Sequence, residues 1–109
     1  ELFCEEVFGP VVAITPFSDE EEAIELANDV RFGLTGSVWT ENGSRSMRVA
    51  RALEAGMIYV NNYNREMLGL PFGGYKQSGM GRKLAFEETM QEFTRVKGIR
   101  FGTDPDVGL

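Results

Sequence analysis

Short apolar runs alternate along the chain with segments in which apolar residues recur at the 3.6-residue spacing of a helix, and this pattern predicts alternating strands and helices. Residues 11–15 form a short β-branched run before a proline, and this run predicts a buried strand. Ser18 and Glu21 then form a capping-box pattern inside an acidic cluster, which suits the positive end of a helix dipole. Apolar side chains recur at helical spacing after it, and Gly33 is expected to end the helix. The first part of the chain is therefore predicted to be a strand followed by an amphipathic helix.

The same alternation continues through the middle of the chain. Residues 34–39 predict a second strand. After a turn at Asn42, Ser44 is expected to cap a second helix, which Gly56 closes. Residues 57–60 are a third apolar strand, so the order is β-α-β-α-β with parallel strands and right-handed crossovers. The predicted fold class is α/β, with a partial open parallel sheet.

The regular pattern stops between residues 61 and 82, a stretch with five glycines and one proline. Long irregular loops are uncommon in compact domains and usually have a function. A short helix over about residues 84–93 follows, and residues 94–101 are predicted to be a C-terminal edge strand. Because this last strand has no evident partner in the sequence, the chain is expected to be a portion of something larger.

The composition limits the functions that the chain can perform. Its 109 residues allow one ordinary domain, and 42% hydrophobic residues indicate a folded protein. A net charge of -6 argues against a nonspecific nucleic-acid binder. The sequence contains no run of about 18 apolar residues and no signal-peptide pattern, so a cytoplasmic protein without a membrane partner is expected.

Histidine is absent from the sequence, and Cys4 is its one cysteine. These counts exclude a Cys/His metal cluster, an internal disulfide, and Ser-His-Asp or Cys-His catalysis within the chain. No metal is therefore expected. A lone thiol of this kind is more often a small buried hydrophobic group than a nucleophile.

The glycine-rich stretch of residues 71–82 invites a phosphate-binding interpretation, but its spacing does not fit. A P-loop requires Lys and then Ser or Thr after the second glycine, whereas Met80 and Gly81 follow Gly79. A dinucleotide fingerprint starting at Gly79 would need a small residue where Leu84 stands. Glycines that allow tight turns and close backbone approach are the favoured interpretation.

A second cluster, Glu-Glu-Val-Phe-Gly-Pro at residues 5–10, lies just before the first predicted strand. A carboxylate offers two acceptor oxygens for the two hydroxyls of a ribose, and a neighbouring aromatic ring offers an apolar wall for a planar group. Glu6 and Phe8 together therefore suit a nucleotide. A solvated acidic pair beside an ordinary core phenylalanine explains the same residues.

Three motifs occur in order along the chain: residues 5–10, Tyr-Val-Asn-Asn at residues 59–62, and Pro-Phe-Gly-Gly-Tyr-Lys-Gln-Ser-Gly at residues 71–79. Together they resemble the C-terminal part of the NAD(P)-dependent aldehyde dehydrogenase superfamily, and the resemblance covers nearly the whole chain. It implies that residues 1–93 are the end of a catalytic domain and that residues 94–109 are an oligomerisation strand with a tail.

The resemblance also implies the chemistry: oxidation of an aldehyde to a carboxylic acid through a cysteine thiohemiacetal, with hydride transfer to NAD or NADP. It assigns Glu6 to the nicotinamide ribose and Phe8 to the nicotinamide end of the cofactor. These are positioning roles, since a fixed ring makes hydride transfer an oriented step. The family's nucleophilic cysteine and general base lie in upstream segments, so no catalytic residue is expected in this chain and Cys4 is not the nucleophile.

The loop after the third strand resembles the family segment that lines the aldehyde tunnel. By this resemblance the substrate-binding residues are Tyr63, Asn64, Glu66 and Phe72. The charges of Arg65 and Glu66 favour a polar aldehyde, although side chains that point to solvent explain them equally well. The final strand resembles the one that joins the sheet of a second subunit, so a homo-oligomer is expected.

Three functional hypotheses are left by this reasoning. The preferred one is a C-terminal dehydrogenase segment whose partner is the remainder of the same polypeptide. The second is a free-standing noncatalytic interaction module from a split or degenerate gene, and the third is a small nucleotide-binding domain with its own activity. Under the preferred hypothesis, the 109 residues alone are expected to be inactive and to self-associate.

Overall fold

The computed structural model describes residues 3–65 and 67–102, and these form a mixed α/β arrangement of three helices and two small sheets. This confirms the α/β class at that level. In chain order the elements are α1 (Glu20–Asn28), β1 (Phe32–Gly33), β2 (Thr35–Val38), α2 (Gly43–Ala52), β3 (Met57–Val60), β4 (Tyr75–Lys76) and α3 (Phe86–Phe93).

One sheet is a parallel pair formed by β2 and β3. Its register places Thr35 opposite Met57 and Val38 opposite Val60, with α2 as the connection between the two strands. Residues 11–15, the first predicted strand, are not a strand in the structure, so this sheet has two strands where the sequence predicts three. The side chains of this segment are exposed, Ile14 to 88%, because no strand in the described parts of the chain lies beside it.

The other sheet is an antiparallel pair in which β1 meets β4, with Phe32 opposite Lys76 and Gly33 opposite Tyr75. A further bridge joins Phe72 to Lys83. The described part of the stretch between residues 61 and 82 is therefore irregular except for β4 and this bridge. Its glycine-rich part folds back onto β1 and is anchored there by backbone hydrogen bonds.

Both helix starts differ by one or two residues from the predicted caps. Asp19 rather than Ser18 is the N-cap of α1, and its Oδ1 accepts the Glu22 N–H at 2.9 Å. The Glu22 carboxylate accepts two hydrogen bonds from Ser18, which lower its pKa. Asn42 rather than Ser44 caps α2, since Asn42 Oδ1 accepts the Arg45 N–H at 3.0 Å.

The helix ends also differ from prediction. α1 ends at Asn28, so Gly33 lies in β1 instead of closing the helix, and α2 ends before Gly56. α3 begins at Phe86 because Leu84 has a φ of 72°, which is left-handed backbone outside the helical region. Residues 94–101 are exposed and lie outside any helix or strand, and no strand pairs with them among the residues described, so the C-terminal edge strand is not formed in this structure.

Few side chains are buried in the parts of the chain that the structure describes. The buried ones are Tyr59, Ala85 and Ser46, the last of which donates its hydroxyl to the Gly43 carbonyl at 2.8 Å. Large apolar side chains on α3 and on the extended segments face outward. None of the described helices is long and apolar enough to cross a membrane.

An ion cluster joins Glu20 of α1 to Arg45 and Arg48 of α2, and it makes the free energy of unfolding depend on pH. Arg48 donates two hydrogen bonds to Glu20 at 2.6 and 2.7 Å, and Arg45 adds a third, which lowers the pKa of Glu20 below its ordinary value of 4.5. A carboxylate whose pKa is lowered by folding stabilises the protein above its unfolded pKa, and this contribution is lost as pH falls through the folded pKa.

We therefore expect Glu20→Gln to lower the melting temperature at pH 7 by about 2 °C, with the difference from wild type shrinking as the pH falls below 4.5. Glu21→Gln is the matched control, since Glu21 is an exposed neighbour with no ion pair among the described residues. Thermal unfolding between pH 3 and 7 measures both. A Glu20→Gln difference that stays constant over this range would contradict the assignment.

Candidate functional site

One candidate site is a cavity of about 630 Å³ that Glu6 borders. Its wall is built by the end of α1, by β1 and β2, by the connection from α2 to β3, and by the turn after β4. The polar residues of this wall include Glu6, Asn28, Glu54, Gln77 and Ser78, and Gly33 also lines it. We call it the Glu6 cavity.

The two adjacent glutamates before residue 7 differ in their surroundings. The Glu5 carboxylate accepts a hydrogen bond from the Arg31 guanidinium at 2.5 Å, and Arg31 also lies over the ring of Phe32. Glu6 has no hydrogen bond or ion pair with the residues that the structure describes, and it borders the cavity. Glu5 is thus tied to the protein, whereas Glu6 is exposed and its acceptor oxygens have no partner among the described residues.

Phe8 lies apart from Glu6 in this structure. Its side chain is 93% exposed, and it is not among the residues that line the Glu6 cavity. The structure therefore does not bring the two predicted cofactor residues to a common surface. Their joint role stays a prediction, and Phe8 requires a further surface to pack against.

Four residues that the sequence analysis did not single out meet at the cavity wall: Asn28, Val30, Glu54 and Lys76. The Lys76 ammonium donates to the carbonyls of Asn28 at 2.6 Å and Val30 at 3.1 Å, and its nitrogen lies 2.7 Å from Glu54 Oε2. Three of these four residues, Asn28, Val30 and Glu54, line the cavity. We call this group the Lys76 junction. The only sequence signal for it was the position of Lys76 inside the glycine-rich motif.

The glycine-rich stretch of residues 71–82, called the glycine-rich turn below, is held by two further side chains that the sequence analysis did not single out. Ser78 Oγ accepts the Gly33 N–H at 2.9 Å, which joins the turn to β1. The Arg82 guanidinium donates to the carbonyls of Gly74 at 2.9 Å and Gly81 at 2.7 Å and lies over the ring of Tyr75. The lysine and arginine of this motif therefore bind backbone carbonyls, which supports the turn interpretation over phosphate binding.

The predicted substrate loop begins at a defined clamp. The Asn61 amide donates to the Thr40 carbonyl and accepts the Thr40 N–H, both at 2.9 Å, and so joins the ends of β2 and β3. Tyr63 is exposed and meets Tyr59 edge to face, with ring centroids 6.0 Å apart. Asn64 is exposed in left-handed backbone, with a φ of 52°.

The remaining predicted substrate residues do not join Tyr63 and Asn64 in one wall. Phe72 exchanges two backbone hydrogen bonds with Lys83 and lines a separate cavity of about 320 Å³. Glu66 lies outside the described residues. The tunnel-wall assignment and the preference for a polar aldehyde therefore stay predictions. Cys4 is exposed, contrary to the expectation of a buried thiol.

Residues 1–99 of the sequence match the aldehyde dehydrogenase family. The chain belongs to that family. The aldehyde dehydrogenase PuuC of Escherichia coli K12, described as NADP/NAD-dependent, is 50% identical over 95 residues, which are 87% of this chain and 19% of PuuC. An aldehyde dehydrogenase of Rhodospirillum rubrum is 43% identical over 104 residues, 95% of this chain and 20% of the relative. The chain thus spans about a fifth of the length of the relatives that it matches.

Solved structures of the family share the fold. A mutant of the indole-3-acetaldehyde dehydrogenase AldA from P. syringae, in complex with NAD+ and IAA, superposes with a TM-score of 0.82 at 45% identity, covering 86% of this aldehyde dehydrogenase chain and 19% of AldA. The betaine aldehyde dehydrogenase of Staphylococcus aureus in complex with NAD+ gives a TM-score of 0.79 at 44% identity, covering 83% of this chain and 18% of that one. Both relatives hold NAD+, the cofactor predicted here.

Proposed function

We propose that this chain is the C-terminal segment of a dehydrogenase that oxidises an aldehyde to a carboxylic acid with NAD+ or NADP+. The observation that carries the proposal is the family match over residues 1–99, within which Glu6 faces a cavity with its carboxylate unpaired among the described residues. A noncatalytic interaction module has no comparable support.

The residues of the Glu6 cavity fit a nicotinamide cofactor. The carboxylate of Glu6 has the two acceptor oxygens that a ribose diol needs, and a volume of about 630 Å³ is in the range of small-molecule sites. When bound, the nicotinamide supplies the hydride acceptor. The contribution of Glu6 is to fix the sugar and so the direction of the ring, while Phe8 offers an exposed aromatic face for the nicotinamide end.

The rest of the segment serves the substrate and the assembly. Tyr63, Asn64, Glu66 and Phe72 are proposed to contribute to the wall of the aldehyde tunnel once the remaining polypeptide packs against them. The extended residues 94–102 expose Val96 and Phe101, which supports a role in adding a strand to the sheet of a second subunit. The nucleophilic cysteine and the general base are proposed to lie in other parts of the polypeptide.

Glu6→Gln in the complete polypeptide tests this proposal. Wild type is expected to reduce NAD+ or NADP+ with at least one of a panel of short aldehydes, followed as NADH or NADPH absorbance. Glu6→Gln is expected to raise KM for the nucleotide roughly tenfold or more, because a charge-assisted hydrogen bond contributes about 1.5–3 kcal/mol.

Glu5→Gln is the matched control and is expected to change KM less than about twofold, since Glu5 is paired with Arg31. Absence of turnover with every aldehyde would overturn the dehydrogenase proposal. Equal effects of the two substitutions would leave the enzyme class intact and remove the ribose role of Glu6.

A further inference from the structure

We propose that Lys76 is a positioning residue that fixes the wall of the Glu6 cavity. Its ammonium group holds the glycine-rich turn against the ends of α1 and α2, and through them it places the residues that face the ligand. The inference rests on the proposed function, because it assigns Lys76 to the cavity in which the cofactor ribose would lie.

The ammonium group of Lys76 makes two hydrogen bonds and one ion pair. It donates to the carbonyls of Asn28 at 2.6 Å and Val30 at 3.1 Å, and its nitrogen lies 2.7 Å from the carboxylate of Glu54. Asn28 is the last residue of α1, where carbonyls without helical partners and the helix dipole both favour a cation. Lys76 therefore does for α1 what a C-terminal cap does, although it lies 48 residues away along the chain.

The same junction ties α1 to the end of α2. The Asn28 amide donates to the Ala52 carbonyl at 2.9 Å and accepts the Glu54 N–H at 2.8 Å. Asn28 and Glu54 line the Glu6 cavity, whereas Lys76 does not. Lys76 thus acts on the cavity through its partners, which is why its role is positioning and not ligand contact.

The backbone of Lys76 places the other side of the wall. Lys76 pairs with Phe32 across the antiparallel sheet, and the next residue, Gln77, donates its N–H to the Arg31 carbonyl at 3.0 Å. Gln77 and Ser78 then line the cavity. Lys76 has a φ of 51°, and a non-glycine residue in that region persists only where its surroundings hold it.

A surface ion pair alone would not support this role. The Glu54 side chain is 58% exposed, and pairs of that kind contribute little. The Lys76 side chain is only 25% exposed, and both of its hydrogen-bond acceptors are backbone carbonyls that cannot move away independently of the fold. The positioning role is therefore attributed to the carbonyl contacts.

Three variants of the complete polypeptide test the proposal: Lys76→Met, Lys76→Arg and the control Arg51→Met. Arg51 is an exposed cation in the last turn of α2 without an ion pair among the described residues. Lys76→Met is expected to raise KM for the nucleotide at least fivefold with kcat at saturating nucleotide within about twofold of wild type. Lys76→Arg should recover most of the loss, and Arg51→Met should resemble wild type. A KM within twofold of wild type in Lys76→Met, or a parallel loss of kcat in Lys76→Met and Lys76→Arg, would overturn the proposal.

Hydrogen exchange separates this inference from the dehydrogenase proposal. Without nucleotide, Lys76→Met is expected to speed exchange of amides in residues 29–34 and 74–78 at least tenfold, and Arg51→Met is expected to leave them unchanged. The exchange rates do not depend on turnover. A wild-type protein that oxidises no aldehyde would overturn the proposed function, and the exchange rates of Lys76→Met would still decide the positioning role of Lys76. Unchanged exchange in Lys76→Met would overturn the positioning role.

Discussion

Replacement of Gly56 by alanine is expected to destabilise the complete polypeptide by about 3 kcal/mol and to lower its soluble yield sharply. A Cβ at Gly56 would overlap the carbonyl oxygen of Gly73 and come within 3.3 Å of the Gly74 Cα. These are backbone atoms of the glycine-rich segment just before β4, so no side-chain rotation relieves the overlap. The Gly56 N–H also donates to the Gly33 carbonyl at 3.0 Å, which fixes Gly56 at the crossing of the two sheets.

Gly43→Ala is the matched control for this substitution. A Cβ at Gly43 meets open space, and Gly43 is the first residue of α2, where alanine loses less conformational entropy than glycine. We expect Gly43→Ala to leave the melting temperature unchanged or to raise it by a few degrees. Thermal unfolding of both variants against wild type decides the matter, and a Gly56→Ala protein as stable as Gly43→Ala would refute the close approach of residues 56 and 73.

The helices and strand β3 could be predicted from the local sequence. The acidic cluster and the helical spacing after it predict α1, and the apolar run at residues 57–60 predicts β3 with the bounds observed. The starts of α1 and α2 were harder to predict because each has two good capping residues within two positions of one another. Asp19 and Asn42 are the N-caps rather than Ser18 and Ser44, and this choice depends on backbone geometry more than on residue type.

The outer strands could not be predicted in the same way, because a strand needs a neighbour. Residues 11–15 and 94–101 have strand-like composition, but pairing depends on an edge elsewhere in the protein. In the described parts of the chain no strand pairs with them, and they remain exposed and outside any strand. The local sequence pattern therefore located these two apolar segments, but it wrongly predicted that they form strands within the described part of the chain.

The candidate site was only partly accessible from sequence. The motif around Glu6 suggested a ribose ligand, and its resemblance to the dehydrogenase family gave the cofactor. The Lys76 junction was missed because its members are distant in sequence and three of the contacts use backbone atoms, which carry no residue-specific signal. The unusual backbone of Lys76 also lay outside any propensity argument, since lysine rarely adopts a positive φ.

The 109-residue chain by itself is expected neither to oxidise aldehydes nor to remain monomeric. Its radius of gyration is 21.1 Å, whereas a compact domain of this length has about 13 Å. The described residues bury only two hydrophobic side chains, Tyr59 and Ala85, while Phe8, Phe93 and Phe101 are largely exposed. Surfaces of this kind bury their apolar area against other chains when nothing else covers them.

Two measurements on the purified chain test this expectation, and each compares it with the complete polypeptide. Light scattering should show species larger than a 12.1 kDa monomer, and NADH absorbance with the aldehyde panel should not rise above a protein-free blank. The loss of turnover is expected to be complete, because the roles proposed for Glu6 and Phe8 are to position a cofactor and the nucleophile is proposed to lie in another part of the polypeptide. A monomer with a sharp thermal transition would show that the exposed apolar segments fold without a partner, and turnover by the isolated chain would place the reacting residues within these 109.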